Sequence, residues 1–383
     1  MVVLFAYLAT FILPLDQTFT LPYKYEHEFN QPSHTFSQLP YLIWVWANFD
    51  GFYYISIVKR GYFSGEEPFF PLYPFLISIF TFDAISPLIS ALFISHVAIL
   101  AALVMVGKML ILDGKKNLIH LMYMILILFP TSFFYGAVYN DSLFFFLATL
   151  SLYFARKRLW FFSSVSGAFA TLARLNGLAL IFPIVGEYLF KEEKDVILAI
   201  KRLPIVVKKT FSLIQIIQSR IYSVVLIPLA FLSYLLYVQI VRGSWSVVFS
   251  SMKVWNQDQI TFPLQVVWRY VKIIILHPTF QRNYWIAVFE AASVALYVFL
   301  MVYSFKKIRL SYWIFFVISI LIPSVTGTFQ GMPRYGLHLY PFFFALSLFL
   351  EKRQWWLKFL YFATSTILLG IATMLFTRGY FVA

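Results

Sequence analysis

The sequence predicts an all-α membrane protein, a polytopic bundle of transmembrane helices with long loops on its outer side. Three observations carry this. Hydrophobic residues fill 61% of the 383 positions and charged residues only 12%, about half the charged share of an ordinary soluble domain. The mean hydropathy is +0.80. Apolar stretches recur along the whole chain between short charged breaks, without the alternation that marks a membrane barrel.

The apolar runs fall at 1–15, 88–111, 118–138, 142–155, 159–173, 177–190, 221–241, 284–304, 311–328, 335–350 and 355–376, eleven candidate spans. Those at 142–155, 159–173 and 177–190 are short of the roughly 20 residues a helix needs to cross a bilayer. Such lengths are tolerated where neighbouring helices bury the ends. Met1 to Leu15 lacks the basic start and small-residue cleavage site of a secretory signal. It reads as a retained first span that either continues toward Thr20 or begins from a truncated start.

Charge sets the orientation. With the N-terminus inside, nineteen of the 30 basic residues fall in inner loops: Lys108, Lys115 and Lys116; Arg156, Lys157 and Arg158; seven across 191–220; Lys306, Lys307 and Arg309; and Lys352, Arg353 and Lys358. The acids lean to the other side, as the excess of Lys and Arg on cytoplasmic loops requires. Two long loops, 16–87 and 242–283, then lie outside. Both are rich in Trp, Tyr and Phe. Loops of this length in a compact protein are usually functional, and amphipathic helices at the interface are expected in them. The basic 191–220 stretch is expected on the inner leaflet. Without a repeat or low-complexity tract, 1–383 reads as a single membrane domain. The net charge of +14 gathers on no soluble module, so no nucleic-acid partner is expected. The chain has no cysteine, which excludes thiol catalysis and disulfides.

Ionisable residues near membrane depth are the first suspects for chemistry. Asp50 stands in Asn48-Phe49-Asp50-Gly51-Phe52-Tyr53-Tyr54, in a loop that continues through Gly61-Tyr62 and Glu66-Glu67-Pro68-Phe69-Phe70-Pro71-Leu72-Tyr73-Pro74. A lone carboxylate among aromatics suits a general base, and the rings offer flat faces to a sugar; a helix cap is the alternative. Asp141, in Tyr139-Asn140-Asp141-Ser142, could orient an acceptor hydroxyl or share the base role; this cluster would equally cap the helix that follows. Arg174, in Ala173-Arg174-Leu175-Asn176-Gly177, and Arg334, in Gln330-Gly331-Met332-Pro333-Arg334-Tyr335, are placed to bind a lipid phosphate by paired charge-assisted hydrogen bonds. An arginine snorkelling from a span end is the plain alternative. The six histidines show no metal-ligand spacing, and His338 reads as a hydrogen-bonded residue of the bundle. His27, between Glu26 and Glu28, is the one candidate for a divalent ion. No phosphate-binding glycine loop or nucleophile elbow is present, so a nucleotide-sugar donor finds no support.

Taken together and in order, these stretches resemble the membrane mannosyltransferases of the GT-C superfamily, in particular the glycosylphosphatidylinositol mannosyltransferase 2 family and its prokaryotic relatives. The resemblance runs from Trp44 to Leu350. It rests on Asp50-Gly51-Phe52-Tyr53-Tyr54, Gly61-Tyr62, Phe69-Phe70-Pro71-Leu72-Tyr73-Pro74, Phe129-Pro130-Thr131-Ser132-Phe133, Tyr139-Asn140-Asp141-Ser142, Leu172-Ala173-Arg174 and Met332-Pro333-Arg334-Tyr335. It departs at Phe49, where relatives carry Trp, at Asp141, where they usually carry Glu, at Pro68, and at Ala173-Arg174-Leu175, where they carry Thr-Arg-Pro. The resemblance implies transfer of a sugar, usually mannose, from a polyprenyl-phosphate donor to a glycan or glycolipid acceptor on the non-cytoplasmic face. It implies Asp50 as base, and Tyr53, Tyr54, Glu66, Glu67, Tyr73, Asn140 and Tyr335 as substrate contacts around Asp141, Arg174 and Arg334. One base and one displacement imply inversion, and two arginines supply the positive charge, so no cofactor or metal is required. The rival readings are a lipid or solute transporter and a GT-C enzyme moving a different lipid-linked sugar. The expected location is a prokaryotic plasma membrane rather than an endoplasmic reticulum.

Overall fold

Peptide groups have no water to pair with at membrane depth, so an apolar chain satisfies them within helices. The computed structural model describes residues 1–16, 40–82, 85–190, 220–255, 257, 260–276, 279 and 282–382. These carry seventeen α-helices and no β-strand. Those longer than four residues are, in chain order, α1 (Val2–Ile12), α2 (Asp50–Arg60), α3 (Leu72–Phe80), α4 (Pro87–Leu112), α5 (Ile119–Leu128), α6 (Asp141–Arg156), α7 (Trp160–Ala173), α8 (Ile181–Phe190), α9 (Leu226–Arg242), α10 (Pro263–Leu276), α11 (Arg282–Ser304), α12 (Leu310–Ser324), α13 (Tyr340–Glu351) and α14 (Trp355–Thr377).

Helices stand at each of the eleven apolar runs. Four are long and apolar enough to cross a membrane by length and composition: Pro87–Leu112, Ile221–Arg242, Tyr284–Ser304 and Trp355–Thr377. Each turns an apolar stripe outward, such as Phe93, Val97, Leu100 and Val104 on α4 and Leu229, Leu232, Leu236 and Ile240 on α9. That spacing follows one helical face. The short helices are the enclosed ones. α13 buries all but two of its residues, and α6 is buried along most of its length. Small residues let α7 approach its neighbours. Ser151 and Ser163 each donate to the other's carbonyl at 2.8 Å across the α6–α7 contact. A Cβ at Gly167 would come within 2.7 Å of the Ile227 side chain. This is the close packing that apolar solvent favours.

Several runs are broken where the hydropathy is continuous. The 118–138 run is not one helix: α5 stops at Leu128, and Ser132–Gly136 forms a 3-10 turn. Pro130 cannot donate a helical hydrogen bond and biases Phe129 to extended backbone. The 335–350 run becomes helix only from Tyr340, after the short helix Met332–Tyr335 and the turn Gly336–His338. Both long loops contain helices, α2 and α3 in the first and α10 in the second. Residues 191–219 of the basic inner stretch lie outside the described residues.

The charged breaks meet at one end of the bundle. Arg156 at the end of α6 pairs with Asp113, which also accepts from Tyr312 at 3.3 Å and Tyr340 at 3.1 Å. Glu187 of α8 accepts both Arg309 donors, at 2.8 and 3.0 Å, and Ser311 Oγ at 2.5 Å. Asn117 bonds Glu351 at 2.5 Å. Asp141, at the other end of α6, is about 22 Å away along the helix.

Removing one member of a buried ion pair strands the other charge. Arg309→Ala is expected to cost on the order of 3 kcal/mol, read as a fall in the thermal unfolding midpoint in detergent. Arg309→Ala combined with Glu187→Leu should recover much of it; equal midpoints for wild type and Arg309→Ala would show that the pair does not hold these helices together.

Candidate active site

Asp50 begins α2 after a strained turn. Phe49 takes φ 58°, ψ −116°, a conformation unfavourable for a bulky side chain. The surroundings hold it there. The Phe49 ring packs on Phe376 and Phe381. Val138 N donates to Trp46 O at 3.0 Å, Tyr139 Oη donates to Asn48 O at 2.9 Å and accepts from Asp50 N at 3.2 Å. Gly51 lets the turn lie against Val138, whose carbonyl would stand 3.2 Å from an added Cβ. Asp50 Oδ2 accepts from Arg334 Nη1 at 2.7 Å.

Arg334 is delivered by a loop between α12 and α13. Gly331 takes φ 81°, the left-handed conformation that glycine adopts at low cost. Thr131 Oγ1 holds Pro333 O at 2.8 Å and Tyr297 Oη holds Met332 O at 2.8 Å. Burial opposes the charge of Arg334, but Asp141 and then Asp50 outweigh it and hold its pKa above the ordinary arginine value. Arg174 follows α7 in extended backbone. Gly177 returns the chain so closely that a Cβ there would stand 2.3 Å from Thr171 N. The Arg174 guanidinium lies 4.9 Å from the Tyr335 ring centre, a cation–π distance.

Asp141 joins the two arginines. It is the first residue of α6. Its Oδ1 lies 3.4 Å from Arg334 Nε, 3.6 Å from Arg174 Nη1 and 2.5 Å from His338 Nε2. Its neighbours are equally committed: Ser142 Oγ donates to Tyr135 O at 2.5 Å and Asn140 Nδ2 to Ala173 O at 2.5 Å. His338 lies in the turn before α13. Its ring is fully buried between Asp141 and Arg174. With Nε2–H given to Asp141, the 3.0 Å approach of Arg174 Nη1 to the same nitrogen is a close contact rather than a hydrogen bond. The sequence marks His338 as a hydrogen-bonded residue of the bundle but not its partners, Asp141 and Arg174, which are remote in sequence. The one local signal is its spacing of four residues from Arg334.

Above this cluster opens a cavity of about 570 Å³. Among the described residues, Asp50, Arg174 and Arg334 are the charged ones that line it, with Asn140, Tyr54 and Tyr335 beside them. Its roof is apolar and comes largely from the second long loop, through Val248, Phe249, Met252 and Ile260. The Asp50 side chain is 22% exposed and the Asp141 side chain 0%.

The structure thus brings together Asp50, Asp141, Arg174 and Arg334, but redistributes several expected roles. Asp141 is sealed beneath the cavity, where it can hold arginines but not an acceptor hydroxyl. Glu66 and Glu67 do not line the cavity. Glu66 accepts from Ser56 at 2.5 Å, Arg60 at 2.9 Å and Phe63 N at 2.9 Å. Glu67 accepts from Arg242 at 2.9 Å, Ser251 at 2.8 Å and Gly65 N at 2.9 Å. Both are desolvated carboxylates consumed in shaping the two loops. Tyr73 is buried and bonded to Ser95 at 2.7 Å. Tyr53 stacks on Phe69 at 4.7 Å. Among the described residues no group of three or more His, Asp or Glu is placed to hold a metal ion; Glu26, His27 and Glu28 lie outside them.

Residues 1–290 match the family model described as Mannosyltransferase (PIG-V). The match includes Asp50, Asp141 and Arg174, while Arg334 and His338 lie beyond it. No curated protein matches the chain, and no solved structure does.

The two aspartates should differ in what they do for stability. Asp141→Asn removes the buried charge that three side chains face, and is expected to cost about 3 kcal/mol. Asp50→Asn alters one partly exposed pair and should cost about 1 kcal/mol or less. Unfolding midpoints of the two variants in detergent test this ranking, and the reverse order would show that Asp141 is not the keystone of the cluster.

Proposed function

The chain belongs to the PIG-V mannosyltransferase family, and from that premise we propose that it transfers mannose from a polyprenyl-phosphate donor to a hydroxyl of a glycan or lipid-linked acceptor, on the non-cytoplasmic face and with inversion. The observation that carries this reading is one cavity wall presenting a reachable carboxylate, Asp50, beside two guanidinium groups, Arg174 and Arg334. An anionic leaving group and a proton acceptor are what this reaction needs side by side.

In the proposed step the acceptor oxygen forms a bond to the anomeric carbon. The bond from that carbon to the phosphate oxygen breaks, with its electron pair on the phosphate. The acceptor proton passes to Asp50. Arg174 and Arg334 face the charge that develops on the phosphate, an interaction worth several kcal/mol in a pre-arranged site. Asp141 and His338 set the directions of the two arginines from below. The lipid tail would lie along the membrane-facing surface, with its phosphate at the level of the arginines. The basic breaks at the end of the bundle remote from Asp141 support the N-terminus and those breaks being cytoplasmic, which puts the cavity outside.

The test is transfer of labelled mannose from polyprenyl-phosphate mannose by the purified protein in lipid, with polyprenyl-phosphate glucose and aminosugar donors in parallel. Wild type should transfer mannose or hydrolyse the donor. Asp50→Asn should lower the rate by about 10²–10⁴, the range for loss of a general base. Full activity in folded Asp50→Asn would remove Asp50 from the mechanism, and turnover with another donor alone would reassign the sugar.

A further inference from the structure

Among the described residues the charges at the cavity balance: Asp50 and Asp141 oppose Arg174 and Arg334. Arg334 is shared: its Nη1 bonds Asp50 at 2.7 Å while its Nε faces Asp141 at 3.4 Å. No atom bonds Arg334 Nε within hydrogen-bonding geometry, and Asp141 Oδ2 likewise has no hydrogen-bond partner. The guanidinium is thus drawn toward Asp50, leaving part of its bonding capacity toward Asp141 unused. In this state Asp50, the only carboxylate lining the cavity among the described residues, has its Oδ2 engaged by the Arg334 guanidinium.

We propose that Arg334 is a latch on Asp50, and that the phosphate of the lipid-linked donor opens it. This rests on the donor class proposed above. A donor phosphodiester brings one negative charge to a neutral cluster. Among the described residues, Arg174 and Arg334 are the cations that line the cavity, and a phosphate competes well for a planar guanidinium by paired hydrogen bonds. When Arg334 turns to the phosphate, Asp50 loses its counter-charge, and an unpaired carboxylate accepts a proton more readily than a paired one. Asp141 stays behind Arg334 throughout, so the arginine pivots without losing its buried partner. Base activation then follows donor binding, and an acceptor arriving alone meets a latched carboxylate.

The latch has a consequence that a simple base does not. Donor binding must break the Asp50–Arg334 pair, so removing the charge of Asp50 should tighten phosphate binding while it slows transfer. The experiment is titration of farnesyl phosphate into the protein in lipid nanodiscs, with farnesol as the uncharged control. The expected result is binding to wild type, about tenfold tighter binding to Asp50→Asn, and no such gain when Arg334→Ala is added to Asp50→Asn. Equal or weaker binding by folded Asp50→Asn, with wild-type binding intact, overturns the latch and leaves the donor class standing. Absence of farnesyl phosphate binding in both proteins overturns the donor class and the latch with it.

Discussion

Everything at the cavity end of this bundle depends on one desolvated carboxylate. Asp141 is wholly enclosed, and an ionised group in that position is tolerable only if opposite charge and hydrogen bonds surround it. Meeting that requirement draws three segments together: the end of α7 through Arg174, the loop before α13 through Arg334, and the following turn through His338, 197 residues away in sequence. The strained turn at Phe49 is then anchored to the same group, because Asp50 pairs with the arginine that Asp141 holds. A pocket assembled from four distant stretches needs such a common point. Here it is a charge whose isolation would cost more than any single contact around it contributes.

The opposite end of the bundle solves the same problem with a second network, Asp113, Arg156, Glu187 and Arg309. The two are connected. Tyr340, two residues beyond His338, reaches down to Asp113, and its ring packs edge-on against Tyr312, which bonds both Asp113 and Arg156. The first turn of α13 therefore spans from the cluster under the cavity to the ion pairs below it. Short helices that could not each cross a bilayer alone are fixed in depth by polar contacts at both ends.

Much of this was legible in the sequence, for a physical reason. Charges are so scarce between the apolar runs that each isolated one had to be paired or functional, and Asp50, Asp141, Arg174 and Arg334 were visible on that ground. What a linear reading could not supply is who pairs with whom. Glu66 and Glu67 share a loop with Asp50 and carry the same chemistry, yet Arg60 and Arg242 absorb them; only the fold distinguishes them from Asp50. His338 offers no motif, since its role exists only through Asp141 and Arg174. Apolar content also concealed the breaks at Pro130 and before Tyr340, where local backbone rules outweigh hydropathy. The break before Tyr340 places Arg334 and Tyr335 in the cavity lining.

The second long loop explains why the cavity and the arginine geometry belong together. Glu67 ties the first loop to Arg242 and Ser251 of the second, and Tyr234 of α9 donates to the Glu67 carbonyl at 2.5 Å. Further along, α10 grips the loop that carries Arg334: Arg269 donates to Gly327 O at 2.5 Å, and Tyr270 accepts from Phe329 N at 3.1 Å while donating to Glu290 at 2.5 Å. The opposite side of α10 exposes Leu264, Val267, Trp268, Ile275 and Leu276, the apolar face expected of a helix seated at a membrane interface. Roof and floor are thus fastened to one another through α10. A guanidinium that pivots by one hydrogen bond needs a fixed frame on both sides, because its position decides whether Asp50 is paired or free. The aromatic loops supply that frame, and the buried charge of Asp141 keeps the pivot in place.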